Sequence, residues 1–322
     1  MPEKDLEEIC ICLSSDDRFA PYLGVTILSV LETAVPADPL HFFVFDDGIS
    51  SQHKAELESL QRARPFRLTW LTPDMKVFDG AFTTSTWPRT CYARLLLGSL
   101  LPPQVKRVIY MDCDVFVRTS ISGLWNTDLG GQVLGGVIDI GVMQEAALGK
   151  HPWPWKESYI NSGVLLVDVS QWRAQKVEKK LLDYVACPRY PLQCPDQDVI
   201  NFVLHKQIAL LDPRWNAQIY WARPEFDNYK GILSLRQALT TAYLLHYCCA
   251  NKPWHFGGGT SVYRKEYRAF MGRTPWKNCL MNVRSSGQIV QDILRYWWRH
   301  PVCFMKPSFW RKVKMDGYSV FR

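Results

Sequence analysis

The sequence predicts an α/β fold carried by a mostly parallel sheet, and three observations point there. Short apolar runs alternate with stretches at helical spacing from Glu8 to Leu71, the βαβαβ order of a parallel sheet with right-handed crossovers. The early runs break into acidic and small polar residues, Ser14-Ser15-Asp16-Asp17 and Asp46-Asp47-Gly48, at the strand ends where such sheets present their binding groups. At 322 residues and 47% hydrophobic, the chain can bury a sizeable core, as one large domain or two smaller ones.

Glu8 to Leu13 is predicted as the first strand, and Tyr22 to Leu31 as the helix after its polar turn, the opening of a nucleotide-binding unit. His41 to Phe45 makes the second strand, and Ser50 or Ser51 caps a helix running to Arg62. Arg67 to Leu71 is the third strand. A loop rich in Thr, Ser and Pro, Phe82 to Arg89, leads into Thr90 to Leu97, whose apolar spacing predicts a helix bearing Arg94. After the next strand come a turn at Ile121 to Trp125 and a strand over Gln132 to Ile140, with Asp139 at its end. The pairs Gly130-Gly131 and Gly135-Gly136 lack GxGxxG spacing, so a nicotinamide fold has little support.

Arg107 to Arg118, RVIYMDCDVFVR, carries the most chemistry. Val108 to Met111 reads as a buried parallel strand, with Asp112 and Asp114 where it leaves the core. In extended backbone, residues i and i+2 point the same way, which aims both carboxylates at one place. Oxygen ligands of this kind suit Mg²⁺ or Mn²⁺ with positions open for substrate phosphates. The alternative is a turn-capping Asp beside a solvated one, and a bare DxD leaves both readings open.

The second half changes character. HPWPW, His151 to Trp155, cannot continue a helix and predicts an exposed or lid-like loop. Tyr159 to Asp168, YINSGVLLVD, begins polar and becomes a buried strand; Gly163 in it is either a point of close backbone approach to a ligand or a turn glycine. Gln171 to Ala186 returns to helical spacing. Asp196-Gln197-Asp198 opens the helix Val199 to Leu204, as a capping run or as groups facing a site. His246 stands between the apolar run Ala242 to Leu245 and a loop dense in Pro and Gly, Tyr247 to Gly259. In that loop Lys252-Pro253-Trp254 sets a point charge on a stiffened backbone, suited to a phosphate.

Composition narrows the function. The ten cysteines include no CxxC pair, and Cys10 and Cys12 alternate with isoleucine, so buried reduced thiols are expected and a zinc site is not. Met1 to Glu8 is acidic and Ile9 to Leu13 is short, which gives no signal pattern; with no apolar stretch of membrane-spanning length, the expected location is the cytoplasm. From Met281 onward eight Lys/Arg stand against Asp292 and Asp316, which accounts for six of the seven net positive charges. The body is nearly neutral and offers no nucleic-acid face. The segment 281–322 adds Tyr296, Trp297, Trp298, Phe304, Phe309 and Trp310 to its basic residues. That mixture favours the surface of an anionic bilayer, with a docked amphipathic helix as the other reading. A catalytic body over 1–280 and a membrane-association tail over 281–322 are therefore expected, the whole peripheral on the inner face of the cell membrane.

The segments SSDDRFAPYLGVTILSVL, CYARLLLG, RVIYMDCDVFV, LWNTDLG, YINSGVLLVDVSQWR, CPDQDVINFVL and HYCCANKPW together resemble, in order, the motifs of family 8 retaining glycosyltransferases. The likeness runs from about Glu8 to about Trp254 and is strongest to the bacterial lipooligosaccharide and lipopolysaccharide α-1,4-galactosyltransferase branch. It implies a GT-A fold, a Rossmann-like mostly parallel sheet with flanking helices, a UDP-sugar donor and Mn²⁺ as metal, with Mg²⁺ as the alternative. By the resemblance, Asp112, Asp114 and His246 are the metal ligands. Ser14, Asp16 and Arg18 hold uracil and ribose, although the family more often has Asn at the position of Arg18. Arg94, Asn161, Ser162, Gly163, Asp196 and Gln197 surround the sugar, Lys252 meets the diphosphate, and Asp139 matches an acceptor-side carboxylate.

Departures fall on the acceptor side. Cys249 replaces a glycine beside the diphosphate, and Cys194, Pro195, Thr86 and Trp87 differ where relatives touch the acceptor, so its identity does not transfer. The expected reaction moves galactose from UDP-galactose to a lipid-linked oligosaccharide. The alternatives are a UDP-glucose-dependent α-glucosyltransferase of the same family and a UDP-sugar-binding protein without turnover. Because the resemblance puts the neutral Gln197 nearest the face where a nucleophilic carboxylate would sit, front-face attack is expected over double displacement.

Overall fold

A computed structural model of the chain describes residues 8–84, 87–222, 234–248, 252–254, 261–277 and 294. The chain divides into two compact units, Met1–Ala250 and Asn251–Arg322. The boundary expected at 280/281, and nearly all of the tail, lie outside the described residues.

The first unit opens with β1 (Ile9–Ser15), α1 (Ala20–Thr33), β2 (Leu40–Asp46), α2 (Ser51–Glu58) and β3 (Arg67–Leu71), the order the sequence predicts. Ser50 Oγ accepts the His53 N–H and caps α2, which continues as a 3₁₀ turn to Arg62. The predicted helix at Thr90 to Leu97 is instead a 3₁₀ segment, Arg89–Leu96, followed by the short α3 (Leu97–Leu100). Over two turns an apolar pattern does not separate three residues per turn from 3.6.

There follow β4 (Arg107–Met111), β5 (Val115–Val117), α4 (Ser122–Trp125), β6 (Leu134–Ile138), α5 (Ile140–Ala147), β7 (Ile160–Asp168), α6 (Val169–Ala174), α7 (Val177–Ala186), α8 (Pro195–Leu204), β8 (Ile208–Leu210), β9 (Ala217–Gln218), α9 (Leu235–Thr240) and β10 (Leu244–His246). Gln171 to Ala186 thus breaks in two, with Lys176 in the left-handed region at φ 53° between α6 and α7. In the second unit, α10 (Ser261–Met271) carries Tyr267, whose ring centroid lies 5.6 Å from that of buried Trp254.

Strands β3-β2-β1-β4-β7-β6-β8 form one sheet. Neighbours from β3 to β4 are parallel, as is β6 with β8, whereas β7 runs antiparallel to both β4 and β6. That reversal positions the site. It lays the amino end of β7 beside the carboxyl end of β4, with Met111 opposite Val164 and the Asp112 N–H donating to the Gly163 carbonyl at 2.9 Å. A parallel β7 would have carried Asn161-Ser162-Gly163 to the far edge of the sheet.

A second sheet, β5-β10-β9, brings His246 opposite Val115. The helix α1 is buried along nearly its whole length, and its polar side chains support that corner. The Thr26 hydroxyl lies 2.9 and 2.8 Å from the carbonyl oxygens of Cys113 and Val115, and Ser29 Oγ accepts the Val117 N–H at 3.0 Å.

The HPWPW segment is not the exposed loop the sequence suggested. His151 and Trp153 are buried, and Trp153 packs on Tyr159 and Phe202 with ring centroids 5.1 and 5.7 Å apart. The cause is Asp198 in α8. Its carboxylate accepts from His151 Nε2 at 3.0 Å, the Tyr159 hydroxyl at 2.5 Å and the backbone N–H groups of Gln193 and Cys194 at 2.6 and 2.8 Å.

Candidate active site

Asp112 and Asp114 meet for a reason other than extended geometry. Residues 112–114 form a turn between β4 and β5, closed by the Val115 N–H donating to the Asp112 carbonyl at 3.2 Å. Cys113 between them is turned inward, with Sγ 3.1 Å from the Ser14 carbonyl oxygen, and burial pushes its thiol pKa up. The sulfur stays protonated and outside the carboxylate pair.

The imidazole arrives on β10, where the Tyr247 N–H donates to the Asp114 carbonyl at 3.0 Å. His246 Nε2 lies 3.2 Å from Asp114 Oδ1 and 3.8 Å from Asp112 Oδ2. One ligand atom from each of the three residues falls within 4.8 Å of the others. Two carboxylates and one imidazole nitrogen fit a divalent ion that accepts mixed O and N donors, Mn²⁺ more readily than Mg²⁺.

A buried cation stands against the cluster. Arg94 donates through Nη2 to Asp112 Oδ1 at 2.6 Å and through Nη1 to the Ser162 carbonyl and Oγ at 2.7 and 3.0 Å, and its Nε lies 3.1 Å from Asp196 Oδ2. Its guanidinium also lies 4.5 Å from the Tyr110 ring centroid. Burial opposes the Arg94 charge, but Asp112 and Asp196 outweigh it and raise its pKa. Burial also pushes the Asp196 carboxyl up, against the lowering pull of Arg94, and the Ser162 hydroxyl donates to it at 3.0 Å.

The amide residues close the floor. Gln197 accepts the Ser162 N–H through Oε1 at 3.0 Å and donates through Nε2 to Asp139 Oδ2 at 3.1 Å. Asp139 caps α5 by accepting the Val142 N–H at 3.1 Å, and also accepts from Asn161 Nδ2 at 3.1 Å and the Tyr220 hydroxyl at 2.8 Å. Gly163 stands against the His246 ring, where an added Cβ would lie 2.1 Å from Cε1. The close approach allowed for at this glycine is therefore to a side chain of the chain itself.

Arg94, Asp112, Asp114, Asp139, Asn161, Ser162, Gly163, Asp196, Gln197 and His246 form one continuous network. Ser14 borders it through its contact with Cys113. Asp16 and Arg18 pair with one another just beyond β1, Arg18 Nη2 donating to Asp16 Oδ2 at 2.8 Å. Half-buried Lys252 belongs to the second unit. Cys249 and Thr86 lie outside the described residues. Sequence reasoning missed Asn216, whose Oδ1 is 2.9 Å from His246 Nδ1, and Tyr220. No short-range pattern marks either one, because their partners are distant in the chain.

A cation-binding cluster beside a floor of amides and carboxylates suits a ligand that combines a diphosphate with hydroxyl groups. The chain matches the sequence model of glycosyl transferase family 8 over residues 10–258. It is similar to general stress protein A of Bacillus subtilis strain 168, at 29% identity over 284 residues, 86% of this chain and 96% of that protein. It is also similar to the lipopolysaccharide 1,2-glucosyltransferase of Escherichia coli strain K12, at 29% identity over 289 residues, 87% of this chain and 82% of that protein. Among solved structures it resembles the galactosyltransferase LgtC in complex with donor and acceptor sugar analogues. The TM-score there is 0.71 at 28% identity, covering 84% of this chain and 99% of that one.

Proposed function

Because the chain belongs to glycosyl transferase family 8 and is a retaining hexosyltransferase, we propose that it moves galactose from UDP-galactose to a sugar of a lipid-linked lipopolysaccharide or lipooligosaccharide core, with Mn²⁺ as its metal. The observation that carries the reading is the cluster of Asp112, Asp114 and His246, with one ligand atom from each inside 4.8 Å. The likeness to the galactosyltransferase LgtC over 99% of its length supports galactose. A second reading, glucose from UDP-glucose, is favoured by the similarity to a lipopolysaccharide glucosyltransferase. The two sugars differ at one hydroxyl.

Asp112, Asp114 and His246 Nε2 would hold the divalent ion, which would supply Lewis-acid stabilisation to the departing diphosphate. Arg94 fixes the rotamers of Asp112 and Asp196 by bonding both, and so keeps the carboxylates from drifting apart. Gln197, gripped at both ends, presents a neutral amide that stabilises an oxocarbenium-like sugar without bonding to it. The carboxylates around it are engaged: Asp196 with Arg94 and Ser162, Asp198 with four donors, Asp139 with four donors. That engagement supports front-face attack, in which the leaving diphosphate oxygen takes the acceptor proton.

The basic and aromatic tail is proposed to hold the enzyme on the inner face of an anionic membrane, where a lipid-linked acceptor is presented. No helix among the described residues is long and apolar enough to cross a membrane.

The test is UDP release from UDP-galactose and UDP-glucose without acceptor, with Mn²⁺, Mg²⁺ or chelator present. Faster release from UDP-galactose with Mn²⁺ supports the proposal, and faster release from UDP-glucose turns it to the second reading. Binding of both donors with no release makes the chain a UDP-sugar-binding protein without turnover.

A further inference from the structure

We propose that Asn216 is a positioning residue of the ligand cluster. Its amide, backed by Asn161 and Asp139, holds His246 as the Nδ1–H tautomer and keeps the Nε2 lone pair on the side of Asp112 and Asp114.

The direction of every bond in this relay follows from one fixed donor. The Gly163 backbone N–H can only donate, and it meets Asn161 Oδ1 at 3.0 Å, which makes that atom the carbonyl oxygen. Asn161 Nδ2 therefore donates to the Asp139 carboxylate, at 3.1 Å. An oxygen on Asn161 demands a donor opposite, so Asn216 presents Nδ2 to it at 2.9 Å. Asn216 Oδ1 is left facing His246 Nδ1, also at 2.9 Å, and only a protonated Nδ1 satisfies it. With Asn216 0% and Asn161 6% exposed, water does not replace a lost partner.

The backbone around Asn216 is fixed on both sides. Asp212 Oδ1 accepts the Arg214 N–H at 2.9 Å and caps the 3₁₀ turn Pro213–Asn216, and the Tyr243 N–H donates to the Arg214 carbonyl at 3.0 Å. On the other side β9 begins at the next residue, Ala217, and pairs with β10, so the amide sits just before one strand and the imidazole at the end of its neighbour. Partners that orient a ligand histidine through its second nitrogen commonly matter about 10–100-fold in metal affinity.

The inference rests on reading Asp112, Asp114 and His246 as metal ligands, but the tautomer can be measured with no ion present. If Asn216 is lost, the ring's remaining acceptor in the cluster is Asp114 Oδ1, 3.2 Å from Nε2. A neutral ring then carries its proton on Nε2, where it blocks the lone pair a metal needs.

The experiment uses the full chain with ¹⁵N-labelled histidine, metal-free, at a pH where the ring is neutral. The His246 signal among the seven histidines is assigned by its absence in His246→Gln. Binding of Mn²⁺ alone is followed through the paramagnetic signal of the free ion. Wild type should show Nδ1–H. Asn216→Leu should show Nε2–H and bind Mn²⁺ about 10–100-fold more weakly. Asn216→Asp keeps an acceptor for Nδ1–H but loses the Nδ2 donor to Asn161 Oδ1, so it should retain the Nδ1–H signature while its Mn²⁺ affinity falls no further than that of Asn216→Leu. An Nε2–H signature in the wild type overturns the proposal, as does an Asn216→Leu variant that keeps both the Nδ1–H signature and the affinity. If Asn216→Leu does not fold, the wild-type and Asn216→Asp spectra decide. A wild type that shows Nδ1–H yet binds no Mn²⁺ supports the relay and overturns the metal reading alone.

Discussion

An added Cβ on Gly163 would stand 2.1 Å from His246 Cε1, 2.7 Å from Nδ1 and 2.8 Å from Nε2, so the imidazole occupies the space that any side chain at 163 would need. The ring cannot simply tilt away, since Nδ1 is held by Asn216 at 2.9 Å. Gly163→Ala should therefore displace His246 from the carboxylates. Overpacking of this kind costs about 1–3 kcal/mol, a loss that a folded domain survives. The expected result is a modest drop in Tm with Mn²⁺ binding largely lost, and an alanine variant that binds Mn²⁺ like the wild type would contradict the packing argument.

Asp198 carries the same side chain as Asp196 and stands two residues from it in α8, yet its work is structural. It accepts from His151, Tyr159 and the N–H groups of Gln193 and Cys194, and it is 0% exposed. Asp198→Ala leaves those donors buried and unpaired, at about 1–3 kcal/mol for each one that finds no new partner. Chemical denaturation should show a loss of at least about 3 kcal/mol, with the HPWPW segment released to protease. Asp112→Ala, half-buried at the cluster, should abolish transfer with little change in the denaturation midpoint. Similar stability losses in the two variants would erase the distinction drawn between them.

Much of the fold was legible because β1 to β3 and their helices obey local rules: apolar strands, a serine cap at Ser50, helical spacing. The metal-ligand set came from a family resemblance, and the residues alone supported only the aspartate pair. Local pattern could not supply the direction of β7, because an apolar strand reads the same in either sense. Nor could it reveal that Asp112 to Asp114 is a turn, for two carboxylates at i and i+2 converge in either conformation. Asn216 stayed invisible because it acts through a histidine 30 positions away. HPWPW was misjudged because prolines and tryptophans mark a break in regular structure without saying which way the rings face.

His41, away from the ligand cluster, gives the fold a dependence on pH. It is 5% exposed, with Nδ1 3.0 Å from Glu8 Oε2 and Nε2 2.8 Å from Thr69 Oγ1. Burial holds its pKa below the ordinary 6.5, although Glu8 works in the other direction. The unfolded chain thus takes up the proton more readily than the folded one. Stability from this group is complete above 6.5 and is lost as the pH falls from there through the depressed value. Tm measured between about pH 8 and about pH 5 should decline on the acid side, and His41→Gln should flatten that decline. An unchanged acid slope in the variant would assign it elsewhere.

The tail prediction is independent of the catalytic one. The segment from 288 onward keeps most of the net positive charge and the aromatic residues Tyr296, Trp297, Trp298, Phe304, Phe309 and Trp310. Each basic residue near an anionic surface contributes about 1 kcal/mol of attraction. The full chain should pellet with vesicles containing phosphatidylglycerol and be released by high salt, and a chain ending at Gly287 should stay in the supernatant while still releasing UDP from its donor. Equal pelleting of the two chains would remove the membrane role.

Gln197 decides between the two routes to retention. Its amide is held by the Ser162 N–H at 3.0 Å and by Asp139 at 3.1 Å, so it is placed with little freedom and carries no charge. As a stabilising dipole it is worth about 10²–10³ in kcat, as other single preorganised groups are. Gln197→Ala should then transfer slowly but measurably, with donor affinity little changed, whereas a true nucleophile would take the whole reaction with it. For a carboxylate to serve as that nucleophile, Asp196 would have to release both Arg94 and Ser162, and Asp198 would have to shed four donors and leave a fully buried position. Mass spectrometry of Gln197→Ala incubated with donor should accordingly find unmodified protein. A sugar trapped on Asp196 or Asp198, together with complete loss of transfer, would establish double displacement in place of front-face attack.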